Sequence, residues 1–292
     1  MFVLGPPHRP RRRVVCRAVL TDYHVHLRPD EEGTAAADYF TAANAERYRT
    51  TAAERGIGEL GISEHVYRFA QALDVWNHPF WVENAVDDID AYCEFVRGEG
   101  LRVGIEADYV AGCEDRMANL LEAREWDYVV GSVHFLRDSA VDMRGEWDIW
   151  RSADPEKVWA RYFETLGEAA RTGMFDVLAH PDLVKVWGKG APAPDGDLRR
   201  FYDLAMEGIA ESDVAIEVST AGLRKPVGEI YPAVPFLEMC LEAGRPVALS
   251  SDAHVPEQLG FEYERAVDWL ASVGVTEIAV FEGRERRLEP IG

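Results

Sequence analysis

Six of the eight histidines in this 292-residue chain close an apolar, β-like run: His24, His26, His65, His134, His180 and His254. The first two stand in TDYHVHL, residues 21–27. Side chains alternate faces along an extended strand, so His24 and His26 share one side and make a ready pair of metal ligands. Glu106 and Asp252 hold equivalent places in their own runs. One histidine at a strand end is ordinarily a hydrogen-bonded core or surface residue. Packing alone does not explain the same placement repeated along most of the chain. First-row divalent ions take imidazole nitrogens and carboxylate oxygens. Six histidines with Glu106 and Asp252 are too many for one ion and suit two or three that share a bridging carboxylate. Two ions about 3.5–4 Å apart can generate a hydroxide nucleophile and clamp a phosphoryl group.

Ligands this far apart in sequence need a fold that gathers strand ends. β-like runs are expected at 18–27, 57–65, 101–110, 128–135, 175–180, 215–219 and 246–254, with a weaker one at 277–282. Between them, apolar residues at three- and four-residue spacing predict helices over 38–55, 86–97, 115–125, 155–172, 198–211, 233–243 and 262–273. Gly56, Gly100, Gly173 and Gly244 stop helices just before strands, and Asp154-Pro155 makes an N-terminal cap with a first-turn proline. Such alternation implies a largely parallel sheet covered by helices. A doubly wound sheet places its site at one switch point and draws on few strands. A barrel brings the C-terminal ends of all its strands to one mouth. Six of the seven main runs end in His, Glu or Asp, which only a barrel brings together.

Composition bounds the partners. With 47% hydrophobic and 28% charged residues, the chain can build one large α/β barrel or two smaller domains. A net charge of −21 repels phosphate backbones, so nucleic acid and anionic membranes are excluded as partners. No apolar run is long enough to span a bilayer. Cys16, Cys93, Cys113 and Cys240 are scattered without a Cys-x-x-Cys, which fits a reduced, cytoplasmic protein. Residues 1–19, with GPPHRPRRR and His8, are expected to be a disordered tail or an extension from an upstream start codon, not a signal peptide. A single domain is expected over 20–292. The loops 74–81 (DVWNHPFW) and 188–197 follow strand ends and should overhang the mouth, with His78 packed among rim aromatics rather than on a metal.

The motifs HVH, SEH, IEAD, GSVHF, AHPD and SSDAH occur in the order seen in the polymerase-and-histidinol-phosphatase (PHP) superfamily, and the chain resembles that family from about residue 20 to 270. GSVHFL, AHPDLVKVWG, EVSTAGLRKPVGEIYP and SSDAHVPEQLG are similar to its histidinol-phosphate phosphatase branch. The resemblance implies a distorted (β/α)7 TIM-like barrel with the metal site at the C-terminal ends of the strands. It also implies two to three divalent ions (Zn, Mn or Fe).

Carried over residue by residue, His24, His26, Glu106 and Asp252 hold the first ion. Glu106 bridges to a second held by His134 and His180. His65 and His254 hold the third. Where the family often has a further histidine this chain has Glu32, with Asp30 and Glu31 as alternative ligands. The branch often has Asn where Ser219 stands. Arg224, in the branch-specific AGLRK segment, is expected to bind phosphate, and Lys185 is the second candidate substrate contact. Lys225 and Arg199 read as solvated charges. The implied reaction is hydrolysis of a small phosphate monoester, L-histidinol phosphate, by a metal-bridging hydroxide. Glu106, Asp252, His254 and Arg224 are its catalytic residues, with Asp252, His254 or a water on the third metal as the proton source. A PHP phosphoesterase for a nucleotide or sugar phosphate, and a catalytically silent barrel used for binding or assembly, are the alternatives.

Overall fold

The computed structural model describes residues 18–31 and 33–291. Glu32, and residues 1–17 with His8 and Cys16, lie outside the described residues. Val19, assigned to the tail from sequence, is part of the fold. Its N–H donates to the Pro290 carbonyl at 2.9 Å, and it bridges Ile291.

Among the described residues the strands are, in chain order, β1 Leu20–Asp22, β2 Ile57–Ile62, β3 Arg102–Val103, β4 Glu106–Asp108, β5 Val130–Ser132, β6 Phe135–Leu136, β7 Ser139–Ala140, β8 Val177–Leu178, β9 Ala215–Ser219, β10 Val247–Ser250, β11 Glu277–Glu282 and β12 Glu285–Pro290. Two parallel sheets result, β1-β2-β3 and β10-β9-β8-β5-β4. Two seams join them. At one, the Gly104 N–H donates to Ile62 O at 2.8 Å and the Glu106 N–H to Glu64 O at 3.0 Å. At the other, the His26 N–H donates to Ala253 O at 2.7 Å and the Ala253 N–H to His24 O at 3.2 Å. The ring therefore closes as a seven-stranded parallel barrel in which β3 and β4 are two parts of one strand. The strands are shorter than the sequence predicts. Their last residues turn into the mouth and keep only isolated ladder contacts, such as Val25 with Ala253 and His65 with Glu106.

Helices cover the barrel as expected, including Ala42–Glu54, Pro155–Arg171 and Arg199–Glu211. The Asp154 side chain caps the second by accepting from the Glu156 N–H at 3.0 Å. The second and third meet at Gly167 and Gly208, where a Cβ on Gly208 would lie 2.1 Å from the Gly167 carbonyl oxygen. Among the described residues no helix is long and apolar enough to cross a membrane.

Strand periodicity splits the interior into two levels. On β9, Ile216 and Val218 belong to the large apolar cluster, whereas Ala215 and Glu217 lie on the other face. Ala215, Ala248, Val177 and Val130 form the floor with Tyr23, Tyr128 and Phe281. Tyr23 lies 4.8 Å from Tyr128 and 5.7 Å from Phe281, centroid to centroid. Tyr128 needs bare backbone beside it, since a Cβ on Gly61 would come within 2.3 Å of its hydroxyl and one on Gly104 within 2.2 Å of its ring. Phe281 comes from β11, the weak eighth run, which does not enter the barrel. It pairs antiparallel with β12 and plugs the floor.

Candidate metal centre and active site

Above the floor, polar side chains replace apolar ones on the inward face. Glu106 opens β4, and its carboxylate is the hub. Its Oε1 lies 3.2 Å from His180 Nε2 and 3.4 Å from His134 Nε2. Its Oε2 lies 3.2 Å from His24 Nε2, 3.6 Å from His26 Nε2 and 2.5 Å from His65 Nδ1. Asp252 Oδ1 stands 3.7 Å from His24 Nε2, 3.5 Å from His26 Nε2 and 3.6 Å from His254 Nδ1. The structure thus brings all eight strand-end ligands named from sequence to one mouth. Asp30 joins them, with Oδ2 2.8 Å from His254 Nε2 and Oδ1 3.5 Å from His65 Nε2. Glu31 lines the recesses beside Asp30.

Behind this layer stand carboxylates that the sequence reading did not assign. Glu217 accepts from His24 Nδ1 at 2.7 Å, and Asp108 from His134 Nδ1 at 2.7 Å. Both sit on inward strand positions beside the ligands, so strand alternation is the signal that could have found them. Glu64 lies 3.8 Å from His26 Nδ1 and pairs with Arg68 at 2.5 Å. Two non-glycine residues of the cluster, His180 (φ 25°) and Asp252 (φ 51°), have left-handed backbones. Such conformations cost on the order of 1–3 kcal/mol and persist where their surroundings over-determine them. Asp252 is clamped from both sides. Asp22 accepts from the Ser251 N–H at 2.9 Å, and Arg224 Nη2 donates to the carbonyls of Ser251 and Asp252 at 2.8 and 2.9 Å.

The electrostatics favour cations. Burial alone would raise Glu106, but His65, His24 and His134 outweigh it and hold the carboxyl well below its usual range. Burial alone would lower His134, but Asp108, Glu106 and Asp142 lift it to about 10. His24 is likewise raised against burial, by Glu217, Glu106 and Asp252. The potential that would hold protons on these imidazoles is the one that attracts divalent ions.

Although close to one another, several of these atoms make no hydrogen bond of acceptable angle among the described residues: His24 Nε2, both ring nitrogens of His26 and His65, His254 Nε2 and Glu106 Oε2. A buried polar atom left unpaired costs about 1–3 kcal/mol. Several of them converging on one point fit a metal cluster. Three overlapping ligand groups occur there: His24, His26 and Asp252; His24, Glu106 and His180; and His26, His65 and His254.

Two recesses open at the cluster. The larger, about 940 Å³, runs past His65 and His134 to Tyr67, Phe80, Asp142 and Trp147. The smaller, about 350 Å³, is lined by Arg224, Lys225, Asp252 and His254 among others. Lys225, read from sequence as a solvated charge, is exposed but borders both recesses. Lys185 borders neither, and its ammonium is held by Asp182 at 2.9 Å and Glu229 at 3.2 Å. Arg199 pairs with Glu238 at the surface. His78 is buried against Trp76 and Trp147, and its Nδ1 accepts from the Phe80 N–H at 3.3 Å. Ser219 caps the turn that carries Arg224, its Oγ accepting from the Ala221 N–H at 3.3 Å.

A family model described as the PHP domain matches residues 37–221. A probable histidinol-phosphatase of Deinococcus radiodurans is 35% identical over 198 residues, covering 68% of this chain and 73% of the relative. The histidinol-phosphatase of Bacillus subtilis is 27% identical over 199 residues, covering 63% and 74%. In fold, the chain is similar to histidinol phosphate phosphatase from Lactococcus lactis, crystallised with Zn, L-histidinol and phosphate. The TM-score is 0.72 at 17% identity, over 93% of this chain and 100% of the other. A histidinol phosphatase structure from Listeria monocytogenes, described as putative, has a TM-score of 0.67 at 19% identity, over 84% of this chain and 99% of that one. Built on the same barrel, the chain belongs to the PHP domain family and resembles that family's histidinol-phosphatases.

Proposed function

We propose that this protein is a metal-dependent phosphatase that hydrolyses L-histidinol phosphate to L-histidinol. The observation that carries the reading is Glu106, whose two oxygens face five imidazoles at the head of a recess. His24, His26 and Asp252 would hold one ion, and His134 and His180 a second, with Glu106 between them. His65, His254 and Asp30 would hold a third. When bound, the ions supply activation of a water and neutralisation of phosphoryl charge.

The rest falls to the chain. Arg224 and Lys225 border the smaller recess and offer cationic donors to phosphate oxygens. Asp252 and His254 edge the same recess and mark the position from which the leaving oxygen takes its proton. The larger recess combines Tyr67, Phe80 and Trp147 with Asp142 and Glu146, a wall suited to an imidazole and an ammonium. The named activity of the relatives supports this substrate. The test is phosphate release by the metal-loaded protein from L-histidinol phosphate, p-nitrophenyl phosphate, a nucleotide and a sugar phosphate. Histidinol phosphate should be preferred by a wide margin in kcat/KM. Equal efficiency across the panel would overturn the substrate, and no hydrolysis of any ester would overturn the reaction.

A further inference from the structure

We infer that Glu217 is a positioning residue that sets two ligands of two different metal positions at once; the inference rests on the metal reading above. Glu217 lies mid-strand on β9, between β8 and β10, and its side chain is 1% exposed. Its Oε1 accepts from His24 Nδ1 at 2.7 Å and from the Ser250 hydroxyl. Its Oε2 accepts from the backbone N–H of His180. Both oxygens are therefore committed, and all three donors belong to candidate ligands or to the strand beside them.

The two contacts do different things. Donation from His24 Nδ1 fixes the ring tautomer that leaves the Nε2 lone pair free. That nitrogen faces Glu106 Oε2 at 3.2 Å. The contact to His180 is to its main chain, where φ is 25°, so Glu217 anchors a backbone that an L-residue rarely adopts. That backbone aims His180 Nε2 at the other oxygen, Glu106 Oε1, at 3.2 Å. Glu217 thus governs one ligand on each side of the bridge. Asp108, by contrast, serves His134 alone among the ligands. Glutamine at 217 has the same shape but one acceptor oxygen, so it can keep the His24 contact or the His180 contact, not both.

The experiment compares wild type, Glu217→Gln, Ser250→Ala and Asp176→Asn. Asp176 is a carboxylate at the opposite end of the barrel that accepts from the Val129 N–H and pairs with Arg284. Metal affinity is read for Zn by competition with a chromogenic chelator, and the fold of each metal-free protein by near-UV circular dichroism. Glu217→Gln should stay folded and lose roughly 10–100-fold in affinity for two ions together. Ser250→Ala should shift in the same direction by less, and Asp176→Asn should match wild type. A folded Glu217→Gln with wild-type affinity overturns the inference and leaves the phosphatase reading intact. If that variant does not fold, wild-type affinity in Ser250→Ala overturns it instead. Failure of the wild type to bind Zn overturns the metal reading itself.

Discussion

His254 Nε2 stands 2.8 Å from Asp30 Oδ2, which joins the loop after the last barrel strand to the loop after the first. Arg68 holds the other Asp30 oxygen from behind. In the metal centre proposed above, Asp30 is therefore placed to serve the third ion. Asp30→Ala should reduce the metal bound after dialysis from about three to about two equivalents, with slower turnover. Elemental analysis checks it, and unchanged stoichiometry would remove Asp30 from the ligand set.

Glu106→Gln removes the charge between the two imidazole groups while keeping the side chain's size. Turnover should fall to background with circular dichroism unaltered. Near wild-type turnover would mean that the bridge lies elsewhere.

Arg224→Ala should lower kcat/KM by roughly ten- to a hundredfold, since a charge-assisted hydrogen bond is worth about 1.5–3 kcal/mol. The same change frees the Asp252 carbonyl, so a further loss of metal affinity would separate the clamp from the phosphate contact. Lys225→Ala should raise KM for the phosphate ester and leave metal content alone. Activity unaltered in both variants would return both residues to the surface.

Chelation should abolish activity and lower the unfolding midpoint, because it leaves Glu106, Asp252 and the imidazoles buried without their counter-ions. Returned metal should restore both in a concentration-dependent way, by about 2.7 kcal/mol at a hundredfold excess over Kd. A midpoint indifferent to metal would count against a structural share for the ions.

Phe281→Ala empties the barrel floor. Removal of a buried phenyl ring costs about 3–5 kcal/mol, and chemical denaturation should show a loss of that size. The His/Glu/Asp cluster lies at the other level of the barrel, so the metal stoichiometry expected of the surviving folded protein should hold. A neutral effect on stability would mean that the floor repacks around Tyr23 and Tyr128.

The convergence of the His-, Glu- and Asp-bearing strand ends was legible because period-two alternation places His24 with His26, and because repeated endings in His, Glu or Asp demand a closed ring. The acceptors behind them were harder to read. Glu217 and Asp108 are acids inside strands, and their meaning comes from the histidines that other strands bring beside them. Lys185 lies away from the recesses and Lys225 lies on them, the reverse of the places expected for the two. Asp182 lies three residues before Lys185 and pairs with it, whereas Lys225 is exposed beside both recesses. The run at 277–282 has strand composition, but it pairs with β12 in a hairpin instead of entering the barrel.

The seam between β1 and β10 spans most of the chain: Thr21 Oγ1 donates to Leu249 O, 228 positions later. During synthesis the first two ligands, His24 and His26, leave the ribosome long before Ala253 exists to close the ring beside them. The ring therefore cannot close until synthesis is nearly finished, and contacts this distant form slowly. The emerging chain passes through a stage in which unclosed strands carry unpaired edges and exposed imidazoles. Metal capture by the complete set of candidate ligands would thus be an event of the finished chain.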